Sequence, residues 1–426
     1  MPRKAFEYRL SLNQATARKL QWTLNRCREL YNAALTERRD AYEFHVRQHG
    51  NYYDDEIERK LTRELTVNYY AQKRELTEIK AEEREEYQDI ACHVLQDVIL
   101  RLDQAFQRFF DRVKLKQQGL WQGKVGYPRF KSEKRFDSFT YPDGAGWKLD
   151  ITKEPEDKKK GKAVLHLSKI GDARVVLHRP IKGTVKTVTI KREVDQWFVI
   201  FSCEVEGTEL LPVSYEDVGI DLGVTHLATL SNGEFIEHPR HFRKAEKKLA
   251  KRQQAVERKK RGSHRRKKAG KLVGKARRKI ARQRKDFLHK ASRKLVNTYQ
   301  VLVFEDIQIA NLTKKPKPKQ DEDGKYLPNG AAAKGGLNKS ILDAGWGQFV
   351  NMCSNKAEEA GRTLVKVDPR FTSQICSQCG SVVKKDLSER WHTCGCKLDR
   401  DVNAAMNILA RGKHHLGGKH PTLATA

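Results

Sequence analysis

Two short apolar runs in this chain each end in a carboxylate: Val218-Gly219-Ile220-Asp221 and Leu302-Val303-Phe304-Glu305. A third acid, Asp401, opens the helix-forming run Asp399-Arg400-Asp401-Val402-Asn403-Ala404-Ala405, and four thiols, Cys376-x-x-Cys379 and Cys394-Gly-Cys396, stand just before it. Carboxylates from two strand ends and a helix start can supply oxygen ligands to hard divalent cations. Two Mg²⁺ ions held roughly 4 Å apart would activate a water and stabilise a leaving oxygen in phosphodiester hydrolysis. Singly, none of the three acids is diagnostic. Asp401 could equally cap the helix it opens and favour its positive end. Asp306 and Asp399 are the neighbours most easily mistaken for ligands, and strand alternation predicts that Asp306 faces away from Glu305.

Cys376, Cys379, Cys394 and Cys396 can supply four thiolates to one tetrahedral Zn²⁺, the closed set of a structural site. Two knuckles so spaced make a zinc ribbon over residues 371–398, in which metal replaces a hydrophobic core too small to form. The Cys-x-Cys half is tighter than Cys-x-x-Cys, so His392 stays open as a substitute ligand. Cys27, Cys92, Cys203 and Cys353 are isolated in apolar or helical context and read as core thiols. Clustered thiols of this kind imply metal in a reducing compartment rather than disulfides.

The elements that must position these groups are legible in outline. Lys4 to Leu10 alternates like a strand. Leu20, Leu24, Cys27, Tyr31 and Leu35 then recur at steps of three and four, as do Val94, Val98, Leu102, Ala105, Phe109 and Val113, so residues 13–117 read as a helical domain. Residues 118–212 carry strand-like runs broken by Gly171, Gly183 and Asp195 and, with residues 1–12, outline a small β-barrel or sandwich. Within it Gly126-Tyr127-Pro128-Arg129-Phe130-Lys131 interleaves cations with aromatic rings, making Tyr127, Arg129 and Lys131 candidates for phosphate contact and base stacking. Residues 213–426 hold a meander (Val218–Leu222, His226–Leu230, Glu234–Ile236), a basic helical arm over 241–296, a strand ending at Glu305, a flexible loop over 313–337, a helix from Ile341 to Ala360, and the final helix. Lys and Arg make up nearly half of the arm, and Arg261-Gly262-Ser263 breaks it into two antiparallel helices. Arg265, Arg266, Lys267 and Lys268, just past that break, are candidate nucleic-acid contacts.

The formal charge of the 426-residue chain is +31, from 85 Lys and Arg against 54 Asp and Glu. Such an excess is a footprint for a polyanion, bound by displacing its counterions. No apolar run is long enough to span a bilayer, and MPRKAFEYRL lacks a signal-peptide core. A cytoplasmic, nucleoid-associated protein with no membrane partner is expected.

Gly219-Ile220-Asp221-Leu222-Gly223-Val224, Phe304-Glu305-Asp306-Ile307, Thr372-Ser373-Gln374-x-Cys376-x-x-Cys379-Gly380 and Asp399-Arg400-Asp401-x-Asn403-Ala404-Ala405-x-Asn407-Ile408 resemble the TnpB (OrfB) proteins of bacterial insertion sequences. Gly126 to Lys131 and Cys27 to Asn32 resemble the same family, so the likeness covers nearly the whole chain. It implies an RNA-guided DNA endonuclease similar to the ancestors of type V CRISPR effectors. The implied fold is multidomain α+β: a wedge-like β-barrel with an inserted helical recognition domain, then an RNase H-like (RuvC) domain carrying a zinc ribbon. It also implies Asp221, Glu305 and Asp401 as the catalytic triad. The partners would be a guide RNA from the transposon end and double-stranded target DNA, with base pairing reading the target and the protein reading shape and a short adjacent motif. The competing classes are a strand-transferring transposase and a non-catalytic nucleic-acid-binding accessory or regulatory protein. A single-strand transposase of these elements needs a Tyr nucleophile and a His-x-His metal pair, and the sequence has no His-x-His; an intact acidic triad argues against the second.

Overall fold

A computed structural model describes residues 3–49, 67–121, 123–156, 159–207, 210–382, 391–393 and 397–417. The chain divides into two compact units, Met1–Gly207 and Thr208–Ala426.

The first unit opens with β1 (Arg3–Ser11) and continues through α1 (Gln14–His49), α2 (Tyr69–Glu78) and α3 (Cys92–Gln117). Six strands follow: β2 (Ser138–Tyr141), β3 (Trp147–Lys153), β4 (Gly161–Leu167), β5 (Gly171–Leu177), β6 (Thr184–Glu193) and β7 (Gln196–Glu204). Leu20, Leu24, Cys27, Tyr31 and Leu35 all lie on the buried face of α1, and Val94, Val98 and Leu102 answer from α3. Period-two alternation turns Phe6, Tyr8 and Leu10 of β1 into the same core. The strands pair in the order β2-β6-β7-β1-β5-β4-β3. The expected barrel is therefore an open half-barrel, with β2 and β3 at its two edges. β3 has the marks of an edge strand: its register shifts between Ile151 and Lys153, and its outer residues stay exposed. Cys92, expected in the core, is exposed at the first position of α3, because the apolar stripe through Val94 and Val98 faces elsewhere.

The second unit is built on a mixed sheet. β8 (Asp217–Leu222), β9 (His226–Leu230) and β10 (Phe235–Glu237) form an antiparallel meander. Next in the chain come α4 (His241–Glu257) and α5 (His264–Thr298), then β11 (Val301–Glu305), α6 (Ile309–Leu312) and the two-residue pair β12 (Lys319–Gln320) and β13 (Tyr326–Leu327). α7 (Ala331–Ala344), α8 (Trp346–Ala360), β14 (Thr363–Val367), the short pair β15 (Trp391–Thr393) and β16 (Lys397–Asp399), and α9 (Arg400–His415) complete it. β11 runs parallel to both β8 and β14, giving the sheet order β10-β9-β8-β11-β14. Val218, Ile220, Leu302 and Phe304 turn to the face covered by α5 and α8. Val301, Val303, Val365 and Val367 turn to the opposite face, where Ile408 of α9 packs.

Three departures from the sequence reading have local causes. The stretch read as a loop over 313–337 folds in part, because Asp321 and Gly324 close a turn between β12 and β13 and three alanines start α7 at Ala331. The helix read from Ile341 to Ala360 is two helices, divided where Gly345 takes a left-handed φ of 73°. The arm splits at the expected break, but its entry is held in a way the charge pattern hides. Arg240 is left-handed and gives no side-chain cap; instead the buried Asp343 of α7 accepts from the Phe242 and Arg243 amides. Among the described residues no helix is long and apolar enough to cross a membrane.

Candidate active site

Strand alternation decides which side chains share the face under α9. Gly219 and Asp221 point there from β8, and Val301, Val303 and Glu305 from β11, with Phe304 opposite Ile220 in the parallel register. α9 sits directly on the backbone of β8: a Cβ added at Gly219 would land on the Ala405 carbonyl oxygen. A glycine is required at that close approach. Its consequence is that the first turn of α9, with Asp401, is brought to the ends of β8 and β11.

Electrostatics registers the meeting. Asp221 is pushed up to about 8, chiefly by burial, then by the charges of Glu305 and Asp401, with Arg400 opposing. Glu305 is raised by burial, while a hydrogen bond from Thr372 and the charge of Arg411 pull it back. Asp401 accepts from Arg400 Nε at 3.2 Å and Nη2 at 3.1 Å. The capping role open to Asp401 belongs to Asp399, whose Oδ1 accepts from the Asp401 and Val402 amides at 2.9 and 3.1 Å. Asp306 is exposed and lies 3.7 Å from Lys366 Nζ.

The donor set suits a hard cation. It is three carboxylates without thiol or imidazole, and two of them are held above their ordinary range by burial, with the charges of Glu305 and Asp401 adding to it at Asp221; a bound cation would oppose both causes. As placed, no three His, Cys, Asp or Glu side chains among the described residues surround a single point closely enough to hold a metal. Asp401 would have to exchange Arg400 for the ion.

The first thiol knuckle is well defined. Cys376 is buried and Cys379 exposed. The Cys376 carbonyl accepts from the Gly380 amide at 2.9 Å, its amide donates to the Ser381 carbonyl, and Gly380 takes a φ of 75°. Cys394, Cys396 and the side chain of His392 lie outside the described residues. Two asparagines one turn apart on α9 tie the knuckle down. Asn403 accepts from the Ser377 amide at 2.8 Å and donates to the Ile375 carbonyl, and Asn407 donates to the carbonyls of Thr372 and Ile375. The sequence motifs include Thr372, Asn403 and Asn407, but sequence reasoning gave none of them a role. The available signal was a pair of amides at i and i+4 within the apolar face of a helix, where buried polar groups need partners.

The candidate nucleic-acid contacts fall into two kinds. Tyr127 packs edge-on against Phe106 and Phe109 yet stays 40% exposed, Arg129 is exposed, and Lys131 reaches over the Tyr31 ring. On the arm, Arg265, Lys267 and Lys268 are exposed, whereas Arg266 turns inward. Its guanidinium donates to the Val256 and Lys259 carbonyls at 2.9 and 2.8 Å and pairs with Glu257, closing the C-terminal end of α4.

Comparison with known proteins places the chain in a family. A model described as "Probable transposase" matches residues 200–315, a Cas12f1-like TNB domain matches 346–408, and a helix-turn-helix domain matches 1–45. Within that last stretch the described residues form β1 and the single helix α1. Two similar proteins carry the name "Putative RNA-guided DNA endonuclease". The one from Streptomyces pristinaespiralis is 33% identical over 424 residues, covering 96% of this chain and 89% of its own. The other, InsQ of Escherichia coli (strain K12), is 30% identical over 414 residues, covering 96% and 92%. The CRISPR-associated endodeoxyribonuclease Cas12f1 of Sulfoacidibacillus thermotolerans is 26% identical over 72% of this chain and 75% of its own. In fold, the mini-RNA-guided endonuclease CRISPR-Cas_phi3 superposes with a TM-score of 0.50 at 9% identity, over 96% of this chain and 92% of that one. The chain belongs to the TnpB (OrfB) family.

The crowding at Asp221 has a measurable cost. Its folded value, about 8, lies above the ordinary 3.8, so between those values the folded state binds the extra proton and stability falls as pH rises. In chelator, Asp221→Asn is therefore expected to melt above wild type at pH 8, with the gap closing toward pH 4. Equal melting temperatures at pH 8 would show that Asp221 is not under this strain.

Proposed function

We infer that this chain is an RNA-guided DNA endonuclease of a transposable element, acting with a guide RNA on double-stranded target DNA. Relatives that bear that activity in their names match it along almost its whole length. Within that activity we propose that Asp221, Glu305 and Asp401 are the catalytic acids of an RNase H-like (RuvC) domain. The observation that carries this reading is their joint position at the ends of β8 and β11 and the start of α9, where each charge bears on Asp221. The sheet, an antiparallel meander extended by two parallel strands, supports it.

When bound, divalent metal at these acids supplies an activated water and neutralises charge on the phosphate during phosphodiester hydrolysis. The protein's own part is positional. β8 and β11 hold two carboxylates rigidly on one sheet face, and Asp399 fixes the first turn of α9 so that Asp401 completes the set. Arg400 offsets the local negative charge. In this reading a single site would cut both strands in turn. Against a single-strand transposase of the kind that uses a Tyr nucleophile and a His-x-His metal pair stands the absence of any His-x-His in the sequence.

Two further assignments belong to this reading. Cys376, Cys379, Cys394 and Cys396 would hold a structural Zn²⁺, supported by the knuckle at 376–381. Tyr127, Arg129 and Lys131, with Arg265, Lys267 and Lys268 of the arm, would contact nucleic acid; Arg266 would act by keeping the arm folded.

Asp221→Ala, Glu305→Ala and Asp401→Ala should each lower Mg²⁺-dependent cleavage of guide-matched DNA by about 100-fold or more while RNA and target binding persist. The triple variant should be little worse than each single one, because the acids act as a unit. Normal cutting by all three would end the nuclease reading; normal cutting by Asp401→Ala with loss in Asp399→Ala would move the third ligand by two residues. Charge reversal at Arg265, Lys267 and Lys268 should weaken RNA binding and flatten its log–log salt dependence. On single strands the slope should change by about 0.7 for each phosphate no longer neutralised. An unchanged slope would remove the arm from the binding surface. Protein prepared in reductant without chelator should carry one zinc per chain, and Cys379→Ser should release it. Elemental analysis finding no zinc in the wild type would strike the ribbon.

A further inference from the structure

Thr372 lies four residues before Cys376, the first thiol of the knuckle, is buried, and donates its hydroxyl to Glu305 Oε1. The same hydroxyl lies 3.1 Å from the Pro369 carbonyl. It has one hydrogen to give, and the carboxylate is the stronger acceptor. The backbone around it is built to aim that hydroxyl. Phe371, just before it, takes a left-handed φ of 62°, which a bulky side chain rarely adopts, and its carbonyl closes a turn with the Gln374 and Ile375 amides at 3.0 Å. The Thr372 carbonyl is then held by Asn407 of α9 at 2.8 Å. From the other side, Arg411 of α9 donates to the Asp368 carbonyl at 2.7 Å. One strained residue and hydrogen bonds to the backbone carbonyls of Asp368, Phe371 and Thr372 thus fix the segment that carries a single side chain not itself a ligand type.

We propose that Thr372 is a positioning residue that fixes the Glu305 carboxylate for metal, and that segment 368–377 couples the thiol knuckle to the catalytic acids. This rests on the triad reading above. One oxygen of Glu305 is occupied by the hydroxyl, which sets the carboxylate plane and leaves the other oxygen for a cation. Asn403 and Asn407 hold the knuckle and Thr372 on the helix that also carries Asp401. A disturbance at the thiols thus reaches Glu305 through the short hydrogen-bonded backbone from Cys376 back to Thr372.

The test compares Thr372→Val, which keeps shape and loses the donor, with Thr372→Ser, which keeps the donor and loses a methyl group. Mn²⁺ binding to the DNA-free protein is read by electron paramagnetic resonance, with Asp221→Ala as background, and the Mg²⁺ concentration for half-maximal cleavage is read in parallel. Thr372→Val is expected to weaken carboxylate-dependent Mn²⁺ binding and raise the Mg²⁺ requirement by about 10- to 100-fold, the usual cost of losing a partner behind a metal ligand. Thr372→Ser is expected to stay near wild type in both. Wild-type metal affinity in Thr372→Val overturns the proposal, as does a loss in Thr372→Ser equal to that in Thr372→Val, which marks a packing role only. Absence of any carboxylate-dependent Mn²⁺ binding in the wild type overturns the triad reading and this proposal with it. Intact binding without cleavage strikes the endonuclease reading alone.

Discussion

The second unit depends on one close approach, the seating of α9 on the bare backbone of Gly219. With no side chain there, the helix axis drops onto β8, and the Ala405 carbonyl occupies the space a Cβ would need. Gly412 repeats the arrangement further along, where an added Cβ would meet the Val303 side chain. A strand with larger residues on this face would lift α9 by an atomic diameter, and close-packed interiors do not absorb such a shift without loss. The helix cannot seat without carrying its first turn to the ends of β8 and β11. Packing therefore determines where Asp401 stands, and the acidic cluster is a consequence of the same contact that buries Ile408.

That contact brings three acids together at an energetic disadvantage. Burial strips the water that a charged carboxylate needs, and the nearby charges of Glu305 and Asp401 add to the cost, so Asp221 holds its proton well above the ordinary carboxylate range. The surroundings only partly offset this. Arg400 pairs with Asp401, Arg411 lowers Glu305, and the amides at the start of α9 are taken by Asp399 rather than by a triad member. Strain of this kind persists where the scaffold over-determines the geometry. Here that scaffold is the parallel register of β8 with β11 on one side and the Asn403 and Asn407 ties on the other.

Much of this was legible in the sequence because it is local. Alternation in Val218–Leu222 and Leu302–Glu305 tells which residues share a sheet face, and the 3.6-residue period of α1 names its buried side before any tertiary partner is known. What was not legible depends on partners far along the chain. Closure of the seven-stranded sheet turns on whether β2 meets β3, which neither strand's pattern encodes. A run such as Arg265-Arg266-Lys267-Lys268 does not say that Arg266 is the cation turned inward, because that depends on where the end of α4 comes to rest. Asp399 and Asp401 compete for one cap, and the winner depends on a helix start that sequence locates only to within a residue or two. Thr372 stands in a motif that carries the family resemblance, but its part in the site is not legible until Glu305 is seen beside it.

The charge distribution then separates attraction from chemistry. A net charge of +31 attracts a polyanion, with the arm over 241–296 among its densest sources along the chain. The acidic cluster works locally against that attraction, since three carboxylates repel the phosphate they would have to approach. In the proposed reading, divalent cations would resolve the opposition by turning the cluster from repulsive to attractive, and would bring the chemistry with them. Binding and cutting are thus expected to respond differently to metal. On the proposed reading the basic surface would hold nucleic acid whatever the metal present, whereas the acids would engage a phosphate only through a cation. That separation requires the acids to stay together, and what holds them together is the packing of α9 on the bare backbone of Gly219.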